Sequence, residues 1–373
     1  MAIGGKAQQR NVAHMDSVEI SLVTCSPHEE VYSLYGHSAL RYHDLQTGQD
    51  LAFNWGVFNF KAPHFVFRFV FGLTDYELGV FPFGAFCEYY RQWGSEVTEQ
   101  VLNLTVEEKL KVAMALAENL LPENRVYRYN FLYDNCSTRP RNIIEQNIDG
   151  RVAYAERPDY MPSFRQMIHA KSAHRPWATM GNDLLLGMKA DLKATQREQE
   201  FLPENLMYDF AHANIEHNGK SRPLVKSERI VIAAGVQKVK KEFPLTPLEC
   251  SLLLALVSLL VVFWEYRKGR CLVWFDALLM SLLGLVGCII LVMFFSQHPT
   301  TSTNLQLLLF NPLHLFFIRS VLRRDRQTRY WTLLLIQVCL FLVCSLVQDY
   351  AYGVNVLALS LLLRHWIHRR NES

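Results

Sequence analysis

The sequence predicts an α+β domain followed by an all-α membrane bundle, and three observations carry that prediction. Apolar residues are unevenly spread over the 373 positions: up to Phe243 they are interleaved with polar ones. From Pro244 onward Leu, Val, Phe and Ile fall in blocks of membrane-spanning length with arginines between them. Within the first part, strand-like runs are interspersed with runs of helical spacing. A polar turn holding a cysteine, Cys136, joins one such strand to one such helix. The expected division is a leader at 1–17, an α+β domain at 18–243 and a membrane domain at 244–373. The formal charge of +3 gives no basis for a nucleic-acid partner.

Residues 18–24 alternate well enough for a strand, and Cys25-Ser26-Pro27-His28-Glu29-Glu30 is a turn. Residues 35–43 read as a second strand, closed by a turn cluster at 44–48, with 50–58 as its hairpin partner. On such a pair His37 and Asn54 face each other across the strands. Residues 58–86 are unusually rich in phenylalanine, and the run 64–71 alternates poorly with polar residues. It reads as core packing; the alternative is a groove for an acyl chain or a face resting on lipid. Residues 96–104 form a further strand. Thr105-Val106-Glu107-Glu108 is a capping box, opening a helix whose apolar residues keep helical spacing until Pro122. Later, 161–170 reads as a helix capped by Ser163, 181–193 as a second apolar-faced segment, and 203–210 as the start of a third.

Cys136 is the candidate nucleophile. A strand at 125–131 runs into the polar turn, and a helix follows at 141–148. A thiol near a helix N-terminus feels the positive end of the dipole, which lowers its pKa, and Arg139 and Arg141 act in the same direction. The bland alternative is a small buried residue in a tight turn. His37 is the candidate base. An amide at Asn54 that accepts from one imidazole nitrogen leaves the other free to take the thiol proton. The alternatives are a satisfied core histidine and an amide that caps backbone. Ser38 adjoins His37 on a strand, so it points to the opposite face and is a poor nucleophile.

Of the eight cysteines, Cys25, Cys87 and Cys136 lie in the first part without the spacing of a metal site or disulfide framework. His169, His174, His212 and His217 suit no zinc site and read as surface residues. There is no glycine-rich phosphate loop and no Gly-x-Ser-x-Gly elbow. No metal and no soluble cofactor is expected. Tyr35, Asn135, Arg139 and Arg141, beside the cysteine–histidine pair, are candidate substrate-binding residues.

Five apolar segments follow, at 245–264, 273–295, 305–318, 331–346 and 351–366, the third interrupted at Asn311-Pro312. Arg267, Lys268 and Arg270 follow the first, Arg319, Arg323, Arg324, Arg326 and Arg329 the third, and His368, Arg369 and Arg370 the fifth. The loops 296–304 and 348–355 carry no Lys or Arg. The positive-inside rule then puts the arginine-rich loops and the C-terminus in the cytoplasm, and the first domain outside. Lys238, Lys240 and Lys241 run against this, but they end a large domain, where the rule carries little weight. The intramembrane His314 and Asn311 are costly and are expected to be paired. In the outer loop, His298 and Asn304 are candidate substrate-binding residues, as a floor for lipid; the alternative is a plain interfacial loop. Residues 1–17 contain no apolar run and are no signal peptide. An exported domain needs an export signal, so either the natural N-terminus has been replaced, which is the expectation, or the first membrane segment does that work.

The stretches Tyr35-Gly36-His37-Ser38-Ala39-Leu40-Arg41, Phe53-Asn54-Trp55-Gly56-Val57-Phe58-Asn59-Phe60 and Tyr127 through Asp134-Asn135-Cys136 to Arg141 resemble the Lnb family of bacterial envelope proteins. So does Asn304-Leu305-Gln306-Leu307-Leu308-Leu309-Phe310-Asn311-Pro312-Leu313, and the resemblance runs from about Ser21 to the C-terminal segments. It implies a circularly permuted papain-like domain, related to NlpC-type hydrolases and to lecithin:retinol acyltransferase, with histidine preceding cysteine. It associates the chain with lipoprotein N-acylation in Bacteroides-type bacteria. The family's nucleophile maps onto Cys136, its base onto His37 and its orienting residue onto Asn54. Family members carry a signal peptide, from which this N-terminus departs.

The expectation is therefore a multi-pass inner-membrane acyltransferase with a periplasmic catalytic domain. It would take an acyl chain from a membrane phospholipid through a Cys136 thioester to the α-amine of a diacylglyceryl-cysteine lipoprotein. Two other classes stay open. One is an envelope cysteine amidase or peptidase acting on peptidoglycan, whose chemistry needs no membrane segments. The other is a non-catalytic membrane scaffold with a degenerate thiol domain.

Overall fold

The computed structural model describes residues 14–58, 63–237, 243–323 and 327–372. The chain divides into two compact units, Met1–Pro162 with Ala194–Lys240, and Ser163–Lys193 with Lys241–Ser373. Residues 163–193, read from sequence as part of the first domain, thus belong to the second unit.

The first unit is built on a seven-stranded antiparallel sheet in the order β10-β5-β1-β2-β3-β4-β6. Its strands are β1 (Val18–Cys25), β2 (His37–Asp44), β3 (Asp50–Val57), β4 (Asp75–Pro82), β5 (Val97–Leu102), β6 (Val126–Arg128) and β10 (Val225–Ile232). A three-stranded sheet joins β7 (Arg151–Ala153), β8 (Asn214–His217) and β9 (Lys220–Pro223). The period-two geometry of β1 sorts its residues to two covered faces. Val18, Ile20 and Leu22 enter a core with Trp55, Val112, Leu116, Ile144, Leu206 and Phe210. Val23 and Cys25 enter another with Phe83, Phe86, Cys87 and Tyr90. The first face carries the helices Val106–Asn119, Thr138–Asn147 and Pro203–Ala211; the second carries Phe83–Trp93. The Thr105–Glu108 capping box forms as its sequence requires. The strand expected at 125–131 is shorter, because the chain turns at Asn130, whose backbone pairs with Asp134.

Two expectations are corrected here. Of the leader at 1–17, residues 1–13 lie outside the described residues, but His14 hydrogen-bonds Asp44 and Gln46 and Met15 is buried in the core. Within the run 64–71, Phe67 and Phe69 are not core. The run forms a six-residue helix, Phe65–Val70, with Phe67 64% and Phe69 46% exposed. Of the other phenylalanines in that stretch, Phe83 and Phe86 are buried and Phe60 lies outside the described residues.

The second unit is helical: Phe164–Ser172 and Pro176–Leu185, then Pro247–Lys268, Val273–Phe294, Leu313–Leu322, Gln327–Cys344 and Val354–Glu372. Among the described residues, three spans are long and apolar enough to cross a membrane: Pro247–Lys268, Val273–Phe294 and Leu305–Leu322. The last is a short 3-10 turn and a helix separated at Asn311-Pro312, where the sequence is interrupted. The fourth expected span is represented by the shorter apolar helix Arg329–Cys344, and the fifth lies in a helix carrying Arg364, His365 and His368. Arg364 is fully buried and donates to Glu265 and Asp276, and Asp276 also binds His368 at 2.8 Å. Three helices are tied by this network, since each charge finds its partner on another helix. His314 meets Tyr330 Oη at 3.2 Å and the Leu309 carbonyl at 2.9 Å, so the expected pairing is present.

Candidate active site

The nucleophile turn is built by two asparagines. Asn130 Oδ1 accepts from the Leu132 and Tyr133 N–H groups at 3.1 Å and turns the chain back after β6. Asn135 Oδ1 accepts from the N–H groups of Ser137 at 2.8 Å and Thr138 at 3.0 Å, satisfying two orphan donors at the start of the helix Thr138–Asn147. Its amide donates to the carbonyls of Phe131 and Phe201. Asn135 is buried and fully used, and Cys136 is held at the positive end of that helix.

His37 opens β2, directly across from Cys25 on β1. The preceding Gly36 has φ +78, and a Cβ there would come within 2.9 Å of the Cys25 carbonyl oxygen, so only glycine lets the strand start at this point. The β2–β3 register, Leu40 opposite Phe53, puts His37 and Asn54 in a diagonal rather than a direct pair. Asn54 Oδ1 lies 2.5 Å from His37 Nε2. The imidazole also hydrogen-bonds the Cys136 thiol, with Nε2 engaged by Asn54 and Nδ1 left for sulfur. The Tyr90 ring stacks near the imidazole at 6.3 Å.

Electrostatics separates this thiol from its neighbours. Burial pushes the Cys136 thiol up, but the His37 imidazole beside it and hydrogen bonds from His37, the Ser38 backbone and Ser137 outweigh that, leaving it below the usual cysteine range. Burial pulls His37 down, and the Cys136 sulfur and Asn54 more than reverse it. Cys25 and Cys87 go the other way: burial pushes Cys25 well up and Cys87 to about 11. Of the three cysteines in this unit, only Cys136 is held toward its thiolate.

The candidate substrate-binding residues fare differently. Tyr35 packs edge-on against Phe131 at 4.8 Å. Arg139 grips Asp134 through two bonds of 2.6 and 2.7 Å and covers the Tyr127 ring, and Arg141 binds Glu200 at 2.7 Å. These arginines and Asn135 are brackets of the turn, because their donors are used within the fold. His298 and Asn304 belong to the second unit. Asn304 is buried, donates to the Leu184 carbonyl and accepts from the Gln306 backbone and from Gln348, so it pins a loop and is no lipid floor. His169, read as a surface residue, bonds the buried Asp183 at 2.7 Å. Ser38 is buried against Ser137, as its strand position predicts.

Sequence reasoning missed a cleft of about 370 Å³ that reaches His37 and Asn54. Its lining includes His28, Tyr32, Phe58, Phe81, Phe86 and Tyr89. The cluster of phenylalanines at 58–86 was the available signal, but the histidine and tyrosines come from other segments. Among the described residues no group of three or more His, Cys, Asp or Glu could hold a metal ion.

Residues 6–170 match the Lnb N-terminal periplasmic domain, and residues 238–372 match the Lnb transmembrane domain. No curated protein and no solved structure matches the chain. With matches in both halves and apolar helices in the second, the chain belongs to the Lnb family, membrane proteins of lipoprotein biogenesis.

Proposed function

We propose that the chain is a lipoprotein N-acyltransferase that works by a ping-pong mechanism on a papain-like, permuted thiol domain. The observation that carries the reading is the Cys136–His37–Asn54 constellation, a thiol held toward its thiolate by an imidazole that an amide orients. His37 precedes Cys136 in the chain, as in a permuted papain-like order. His37 Nδ1 takes the thiol proton, and the thiolate attacks an ester carbonyl of a membrane phospholipid. The N–H groups of Ser137 and Thr138 are taken by Asn135, which leaves the Cys136 N–H at the helix start as backbone donor to the oxyanion. The C–O bond breaks, and the lysophospholipid leaves with the proton from His37. The α-amine of a diacylglyceryl-cysteine lipoprotein then attacks the thioester. An amide forms, the C–S bond breaks, and the amine's proton returns through His37 to sulfur.

Family membership and the apolar helices support a lipid substrate, since soluble amidase chemistry needs no membrane unit. A topology with the thiol unit in the periplasm and the C-terminus in the cytoplasm is supported by the charge pattern, with Arg267, Lys268 and Arg270 after the first span and no Lys or Arg in the loops 296–304 and 348–355.

Intact-protein mass spectrometry after incubation with phospholipid vesicles tests this. The parent should gain one acyl mass that hydroxylamine removes, and Cys136→Ala should gain none. A readily alkylated Cys136 that never acquires an acyl group would instead favour an envelope amidase, and an inert Cys136 a scaffold.

A further inference from the structure

We infer that the cleft beside His37 and Asn54 holds the acyl chain of the donor, and that Tyr32, Ala85 and Tyr89 at its rim set which chains are accepted. The inference rests on the thioester reading above and names where its acyl group lies. The cleft reaches the catalytic imidazole, because His37, Asn54 and Gly56 are part of its wall, and that imidazole hydrogen-bonds the Cys136 thiol. From there it runs between aromatic side chains: Phe58 and Phe86 inside, Phe81 and Tyr89 toward solvent.

Its hydroxyls already have partners within the fold. Ser33 Oγ donates to the carbonyls of His28 and Glu30, and Ser26 Oγ accepts from the Glu96 N–H. The hydroxyls of Tyr32 and Tyr89 meet each other at 3.4 Å. His28, buried and stacked on Trp93 at 4.6 Å, is pulled down to about 4 by its burial, so it stays uncharged at neutral pH. A peptide placed here would bury backbone N–H and C=O groups without partners, which is costly, whereas a hydrocarbon chain needs none. The Tyr32–Tyr89 contact joins two elements of this lining, the turn before β2 and the helix Phe83–Trp93. Ala85 is the smallest exposed side chain on that helix within the lining.

The test uses the full-length protein in vesicles of phosphatidylethanolamine with octanoyl or palmitoyl chains, and reads the acyl mass on Cys136. Each buried methylene is worth roughly fourfold in an equilibrium constant, so a chain that fills the cleft gains strongly over a short one. Ala85→Trp should cut palmitoyl loading at least about tenfold while leaving octanoyl loading within about twofold. Equal palmitoyl preference in parent and variant overturns the assignment and leaves the thioester reading standing. No acyl adduct on the parent overturns both. A second measurement needs no variant: phosphatidylethanolamine with a photoreactive diazirine at the end of its palmitoyl chain is cross-linked to the parent. Label on the peptides holding Tyr32 and Phe81–Tyr89 is expected, and label confined to the helix Phe65–Val70 or to the membrane helices overturns the inference.

Discussion

His37 Nε2 lies 2.5 Å from Asn54 Oδ1, on neighbouring strands but two positions out of direct register. That diagonal contact orients the imidazole while the opposite ring nitrogen serves the thiol. Asn54→Ala should therefore slow thioester formation about a hundredfold, the low end of what a positioned base contributes. Palmitoyl transfer onto Cys136, timed by quenched-flow mass spectrometry, checks it. Asn54→Gln, which keeps the acceptor type, should recover part of the loss, and a purely structural role would not produce that rescue.

Cys136 is held below and His37 above its ordinary range, each chiefly by the other once burial is overcome. Both shifts act in the same sense, favouring the thiolate–imidazolium form of the pair over the neutral thiol and imidazole. Alkylation of Cys136 by iodoacetamide should thus rise at a pH below the ordinary thiol value of about 8.5. In His37→Ala the burial remains without its largest compensation, so the midpoint should move up from that of the parent.

From a buried site the Asn135 side chain makes three hydrogen bonds within the turn and a fourth to the Phe201 carbonyl. Asn135→Ala leaves two helix N–H groups and two carbonyls without this partner and should cost about 2–4 kcal/mol. A lower unfolding temperature of the detergent-solubilised protein, with loss of Cys136 loading, is the expected outcome.

Arg364→Leu should unfold the helical unit, because it strands Glu265 and Asp276 in a buried site at a cost of about 3–5 kcal/mol. Replacing Arg364, Glu265 and Asp276 together by leucine should restore much of the thermal stability. Temperature scans of the two variants in detergent separate a stranded charge from a needed ion network.

Phe67→Ser and Phe69→Ser should each change stability by less than about 0.5 kcal/mol, since both side chains are exposed. A large loss in thermal unfolding would return them to the core.

Much of the fold was legible in the chain. The strand patterns of 18–24 and 35–43, the capping box at Thr105 and the cap at Ser163 each gave an element close to its observed limits. His37 and Asn54 could be paired because one hairpin carries both. Other features had no local signal. The phenylalanine run misled because composition does not say which face of a short helix is covered. Arg139 and Arg141 looked available for substrate, since their partners Asp134 and Glu200 are known only once the turn is folded.

The sequence alone was enough for the first three strands, the helix capped at Thr105, the placement of a cysteine before a helix, and the apolar blocks of a membrane unit, all of which follow from periodicity and composition. Only the tertiary structure decided that 163–193 joins the helical unit, that Gln306 and Gln348 bind its backbone, and that an aromatic cleft reaches His37. It also decided the direction in which each thiol titrates. That direction is the difference between burial and the charges packed alongside, and residues distant in sequence supply both.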